Sequence, residues 1–232
     1  MKTQQVAIDS LVQVNNEICL HLSLASIPLV SPGQYFQVCD TADDLLLPGV
    51  LLVCRVEGNN VLLCGETHKN WLPGTELHLH GPKGNGFHLP PLTKRVALTT
   101  LDRSSLNPLM PVADLALKMG AEVTLMTDRP LTDLPAEIEV LPLDDLETVK
   151  EWADYLAAVS TYENLPALQR KMQVSSGNKP LVEVLIDTPM ICAEGSACGA
   201  CAVQTRKGWR LACKDGPVFK LDDLALEEGA HG

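Results

Sequence analysis

Leu77-His78-Leu79-His80-Gly81-Pro82-Lys83-Gly84-Asn85-Gly86-Phe87 divides this chain into two unlike parts. Its first four residues alternate apolar and polar, the period of a half-buried strand. Three glycines and a proline then crowd into a tight loop. Upstream, the strand period recurs. Ile18-Cys19-Leu20-His21-Leu22-Ser23-Leu24 alternates, Tyr35–Cys39 and Val50–Val56 are rich in β-formers, and Gly58-Asn59-Asn60 is a hairpin turn into Val61–Cys64. The N-terminal residues Met1-Lys2-Thr3-Gln4-Gln5 lead into a further polar, alternating segment. Short strands parted by turns over residues 1–90 predict a small barrel.

Downstream of Pro90-Pro91 the period changes. Arg95–Leu101 reads as an apolar strand, Pro108–Met119 as a helix stopped by Gly120, and Glu122–Met126 as another strand. Leu143–Ala158 reads as a second helix, Gln173–Lys179 as a loose loop, and Leu181–Ile186 as the last strand. Strand–helix–strand order with short links predicts a parallel α/β layer over residues 91–187. The expected fold class is therefore β followed by α/β, with residues 188–232 as a third, cysteine-bearing segment.

The chain has 232 residues, with 18 Lys and Arg against 29 Asp and Glu, for a formal charge of −11. That balance excludes the clustered positive charge that displaces counterions from nucleic acid. No apolar run reaches the ~20 residues that span a bilayer, and no apolar leader follows Met1, so no membrane span and a cytoplasmic location are expected.

In such a compartment thiols stay reduced, and eight cysteines need explaining. Cys19, Cys39, Cys54 and Cys64 lie in separate strand-like runs and read as buried free thiols filling a core. Cys192, Cys198, Cys201 and Cys213 are packed into one short segment with the spacing C-x5-C-x2-C-x11-C. A structural zinc site usually presents two C-x2-C pairs, and only Cys198 and Cys201 make one. A plant-type [2Fe–2S] cluster uses C-x4-C-x2-C and a distant fourth cysteine, which differs here by one residue in the first gap. Between the ligands stand Ala193, Gly195, Ser196, Ala197, Gly199, Ala200 and Ala202. Such small residues let backbone N–H groups turn inward around sulfides. The cluster is the better match, with zinc as the alternative.

A barrel, an α/β layer and a four-cysteine segment resemble the ferredoxin reductase superfamily. Within it the chain is similar to the electron-transfer subunits of type B dihydroorotate dehydrogenase. The likeness rests on Gly195-Ser196-Ala197-Cys198-Gly199-Ala200-Cys201, on Cys213-Lys214-Asp215-Gly216-Pro217-Val218-Phe219, on Pro32-Gly33-Gln34-Tyr35-Phe36 and on Gly81–Phe87. The resemblance implies a Greek-key barrel carrying FAD and one [2Fe–2S] cluster. It also implies electrons passed between NAD and a partner catalytic subunit that holds FMN, and service in pyrimidine biosynthesis.

The chain departs from that family at the organic cofactors. Where the family has an R-P-x-S segment against the flavin, this chain has Leu46-Leu47-Pro48-Gly49-Val50; where it has a G-T pair, this chain has Gly65-Glu66-Thr67-His68-Lys69. Pro48, Gly49, Gly65 and Thr67 remain as candidate FAD contacts, with Lys69 or Arg55 as substitute cations. The glycine-rich turn after the first α/β strand is replaced by Thr99-Thr100-Leu101-Asp102-Arg103-Ser104-Ser105-Leu106-Asn107-Pro108-Leu109. Side chains there crowd a pyrophosphate, and Asp102 repels it. FAD stays an open expectation; NAD(P) is not expected.

Other residues read more plainly. His78 and His80 share a strand face, and with Cys64 or His68 they form a weak metal candidate. Trp209 either shields the cluster or caps a small core, and Arg206, Lys207 and Arg210 form a basic spot beside it. Asp144-Asp145 and Asp222-Asp223 read as helix-start charges. No acid–base or nucleophilic catalytic set stands out. The function expected is an electron-transfer subunit serving a partner redox subunit. The alternatives are a scaffold with a structural metal, or an intact NADH-dependent reductase.

Overall fold

The structure, a computed structural model, describes residues 2–26, 28–40, 48–102, 104–131, 134–172, 179–192 and 198–225. Six antiparallel strands come first: β1 (Lys2–Val14), β2 (Glu17–Ser23), β3 (Tyr35–Asp40), β4 (Gly49–Glu57), β5 (Asn60–Gly65) and β6 (Glu76–Lys83). They close into a barrel in the order β1-β2-β5-β4-β3-β6. Alternation sends Leu20, Leu22, Phe36, Val38, Leu51, Val53, Leu77 and Leu79 into one buried core with Trp71. Burial of each such side chain contributes about 1.5–3 kcal/mol. The β1–β2 hairpin turns on Asn15 and Asn16, both left-handed at φ 47° and 66°, the geometry of a tight primed turn that asparagine tolerates.

The parallel layer follows: β7 (Arg95–Thr100), α1 (Met110–Lys118), β8 (Glu122–Met126), β9 (Ile138–Leu141), α2 (Leu146–Trp152), β10 (Tyr155–Thr161), α3 (Leu165–Lys171) and β11 (Leu181–Asp187). The chain then forms a hairpin, β12 (Ala202–Thr205) with β13 (Gly208–Leu211), a helical turn α4 (Ala212–Asp215), and a last strand β14 (Val218–Lys220). The sheet order is β14-β11-β10-β7-β8-β9, parallel except for β14, which runs antiparallel to β11. One face of the sheet packs against α1 together with Phe87 and Val218. The other packs against α2, α3 and the cysteine segment, through Val149, Leu165, Val203, Ala212 and Phe219.

Two readings need correction. The expected helix over Leu143–Ala158 ends at Trp152, and Tyr155–Thr161 is instead a central strand. Tyr155 through Ser160 are all buried because both sheet faces are covered, so no alternation marks them as a strand. The other concerns the barrel cysteines. Cys19 and Cys64 stand directly opposite on β2 and β5, 4.4 Å apart at Cα, and form a disulfide instead of remaining free. Cys54 is a free thiol beside them, brought to that face by an irregularity in β4 between Val53 and Arg55. Among the described residues, no helix is long and apolar enough to cross a membrane.

Candidate metal centre and nucleotide crevice

Three sequence motifs quoted above meet at one junction. Gln34 Nε2 donates to the Gly84 carbonyl at 2.9 Å, and the Phe87 N–H to the Pro32 carbonyl at 2.7 Å. Asn85 donates through its backbone N–H to the Gly216 carbonyl and through Nδ2 to that of Asp215, the latter at 2.8 Å. Gly84 is left-handed at φ +74°, and a Cβ there would lie 2.4 Å from the Gly216 carbonyl oxygen. A side chain at Gly216 would strike the Phe219 ring at 2.3 Å. Glycine is required at both because two loops interlock where a Cβ has no room. Asp215 also accepts the Leu211 N–H at 2.9 Å, and the Pro217 carbonyl accepts the Ile186 N–H at 2.9 Å. The C-x-D-G-P-V-F run thus bolts the cysteine segment to both the barrel and the sheet.

That junction carries two of the four cysteines. Ala202 pairs with Leu211, so Cys201 and Cys213 flank the open end of the β12–β13 hairpin, where the Ala212 N–H donates to the Cys201 carbonyl at 2.9 Å. Both are buried, in the same core as Val203 and Phe219. The hydroxyl of Tyr35 donates to the Cys213 carbonyl at 2.7 Å. Cys192 and Cys198 lie nearer the surface with their sulfurs 3.4 Å apart. The intervening Ala193–Ala197, small residues of the ligand loop, lie outside the described residues.

Of the four sulfurs, those of Cys192 and Cys198 make a close pair, as two ligands of one iron in a two-iron cluster would. One tetrahedral zinc, at Zn–S of about 2.3 Å, draws all four sulfurs within roughly 4 Å of each other. Among the described residues, three sulfurs gather within 4.8 Å at Cys19, Cys54 and Cys64 and not in the C-terminal four. A two-iron centre divides its ligands two to each iron and asks only for pairs.

The candidate flavin contacts lie at the start of β4 and at and beyond the end of β5. Gly49 begins β4 and faces the Trp71 ring, which a Cβ would approach to 3.0 Å; at Gly65 a Cβ would meet the Val50 carbonyl oxygen at 2.8 Å. Both glycines answer to strand packing. Pro48 immediately precedes β4, and Thr67 is half-buried in the loop after β5. Leu46 and Leu47 lie outside the described residues. Of the substitute cations, Arg55 faces Glu57 at 3.8 Å and Lys69 is exposed. Asp102, Asp187 and Glu66 bring negative charge nearby, and Arg129 Nη2 donates to the Ser104 carbonyl at 2.7 Å. Burial of the Asp187 carboxyl pushes it up, and the charges of Asp102 and Glu66 push it further up.

The nucleotide crevice is also altered. Asp102 fills the turn after β7 and accepts hydrogen bonds from Thr100, Ser104, Ser160, Thr161 and Asn164. Burial works to raise its pKa, yet donors from Ser104, the Thr161 N–H and Asn164 hold it down at about 2. The partners in β10 and beyond sit far along the chain, and no local motif announces them. Arg103, in the same turn, lies outside the described residues.

The remaining candidates separate. His78 stands opposite Cys39, His80 contacts Thr3 Oγ1 at 2.9 Å, and His68 packs edge-on against Trp71. Cys64 is bonded to Cys19. Trp209 is 64% exposed, so it caps no core. Asp144 and Asp145, like Asp222 and Asp223, sit in short 3-10 turns.

Residues 187–225 match the family model of the iron–sulfur cluster binding domain of dihydroorotate dehydrogenase B. The electron transfer subunit of that enzyme from Clostridium perfringens is 25% identical over 213 residues, spanning 82% of this chain and 85% of its own. A probable counterpart from Thermoplasma acidophilum is 27% identical over 214 residues, spanning 84% and 80%. Among solved structures, a chain of an NADH-dependent reduced ferredoxin–NADP oxidoreductase aligns with a TM-score of 0.76 at 18% identity, over 96% of this chain and 90% of its own. Phthalate dioxygenase reductase aligns at 0.58 and 12% identity, over 91% and 77%. The chain thus has a ferredoxin-reductase-like fold, is similar in sequence to dihydroorotate dehydrogenase B electron transfer subunits, and over residues 187–225 matches the iron–sulfur cluster binding domain of that enzyme.

Proposed function

We propose that this chain is an electron-transfer subunit. Cys192, Cys198, Cys201 and Cys213 hold one [2Fe–2S] cluster, and the chain relays electrons to or from a partner redox subunit of the dihydroorotate dehydrogenase type. Residues 188–232 form the cluster-bearing segment, beside a barrel over 1–90 and an α/β layer over 91–187, and the protein works in the cytoplasm. The bound cluster supplies one-electron redox chemistry that no side chain here provides.

The protein's own contribution is placement. Cys201 and Cys213 are fixed in a core that joins hairpin, sheet and barrel, whereas the Cys192–Cys198 pair opens toward solvent, where another redox centre can approach. The paired sulfurs, at 3.4 Å, are the observation that carries this reading.

Anaerobic purification followed by iron and sulfide analysis and electron paramagnetic resonance after dithionite reduction tests it. About two irons and two sulfides per chain, with a one-electron-reduced cluster signal, are expected. One zinc and no sulfide would overturn the proposal and leave the scaffold with a structural metal.

A further inference from the structure

The order in which strands are added to the parallel sheet reverses between β7 and β10. From β7 the chain steps outward through β8 to β9, then returns to lay β10 on the other side of β7 and β11 beyond it. The crevice outside the carboxyl ends of two such strands is where open α/β sheets take ligands. In dinucleotide folds, backbone N–H groups there hold the pyrophosphate.

Here the crevice contains an anion of the chain's own. Asp102 lies just past β7, and its Oδ2 reaches across to β10. That oxygen accepts the Thr161 N–H at 2.9 Å, the Ser160 hydroxyl at 3.2 Å and Asn164 Nδ2 at 3.2 Å. Oδ1 accepts the Ser104 N–H at 2.8 Å and the Thr100 hydroxyl at 3.1 Å. Two backbone amides, two hydroxyls and a carboxamide are the donor set a phosphate would use. They converge on one carboxylate drawn from both sides of the switch point. Asp187, at the end of β11, adds negative charge near it, while Arg129 Nη2 donates to the Ser104 carbonyl of the same turn at 2.7 Å.

We infer that Asp102 is the resident anion of this crevice, satisfying the donors that a dinucleotide pyrophosphate would otherwise engage, so that the α/β layer takes no pyridine dinucleotide. This deepens the electron-relay reading, on which it rests, by naming the class of redox partner: a one-electron centre held by a protein rather than a soluble hydride donor.

Nucleotide binding can be measured without reference to the cluster, so the two readings fail separately. Calorimetric titration of the full chain with NADH, NAD+ and ADP-ribose is expected to show no saturable binding by the wild type. Asp102→Ala is expected to lose thermal stability and to regain part of it when inorganic pyrophosphate is added, while the wild-type melting temperature stays unmoved by pyrophosphate. Saturable NADH or ADP-ribose binding by the wild type overturns the inference. So does a folded Asp102→Ala that ignores pyrophosphate. If Asp102→Ala does not fold, Asp102→Asn keeps the volume and removes the charge. A lower melting temperature at neutral pH is then expected, and one equal to the wild type overturns the inference.

Discussion

The Tyr35 hydroxyl, on the first residue of β3, donates a 2.7 Å hydrogen bond to the carbonyl of Cys213, a residue 178 positions away. Tyr35 has no exposed surface and Cys213 is 1% exposed. Tyr35→Phe keeps the ring and removes that hydrogen bond, a loss of about 0.5–1.5 kcal/mol. Urea unfolding is expected to shift accordingly, and the visible absorbance of the cluster is expected to bleach faster in air. Unchanged bleaching would separate the barrel from the support of the metal segment.

The two cysteine groups have different duties, and paired serine variants distinguish them. Cys201→Ser is expected to lower iron and sulfide content severalfold, since an alkoxide or water is a poor substitute for thiolate at iron. Cys54→Ser, in the barrel group beside Cys19 and Cys64, is expected to keep the iron and lose only stability. Burial chiefly pushes the Cys54 thiol well up, so it stays protonated and inert. Equal iron loss in both variants would contradict this division.

Asp102 and Asp187 make opposite contributions to stability against pH. The Asp102 pKa falls from 3.8 to about 2 on folding. Its stabilisation is therefore full above the unfolded value and is lost as pH drops through the folded one. Allowing for partial exposure, that is about 1–2 kcal/mol. Asp187 is raised by burial, with Asp102 and Glu66 adding to the rise, so its charge opposes folding near neutral pH. Asp187→Asn is expected to raise stability at pH 7, a gain that shrinks as the medium is acidified. Thermal melts at several pH values check both signs.

The hairpin β12–β13 carries Arg206 and Lys207 at its turn and Arg210 on its second strand, with Cys201 and Cys213 at its open end, in a chain of net charge −11. A small anionic oxidant such as ferricyanide should be drawn to it. Arg206→Glu combined with Lys207→Glu is expected to slow oxidation of the reduced cluster severalfold at low salt. The difference should vanish near 1 M salt, where the Debye length is about 3 Å. A salt-independent change would place the approach elsewhere.

The strands of the barrel were legible because one face of each meets water, as with Leu20 and Leu22 inward against His21 and Ser23 outward. β10 was not, since Tyr155–Ser160 are buried on both faces and present no period. β9, a short strand with two exposed residues, and α3 gave equally little signal. At the site, cysteine spacing announced the metal chemistry locally. The missing glycines after β7 announced a changed crevice. What fills it was hidden, because Asp102 finds Ser160, Thr161 and Asn164 some 58 to 62 residues further on. The Cys19–Cys64 bond was hidden likewise, requiring the β2–β5 register before the two sulfurs can be seen to face each other.

β14 returns from the cysteine segment to become the antiparallel edge of the sheet, pairing Phe219 with Val184 and Val218 with Leu185. A redox lobe stitched in at both ends cannot swing between donor and acceptor like a tethered arm. Every electron must therefore be collected and delivered from a fixed stance, and it is the partner that has to come within tunnelling reach.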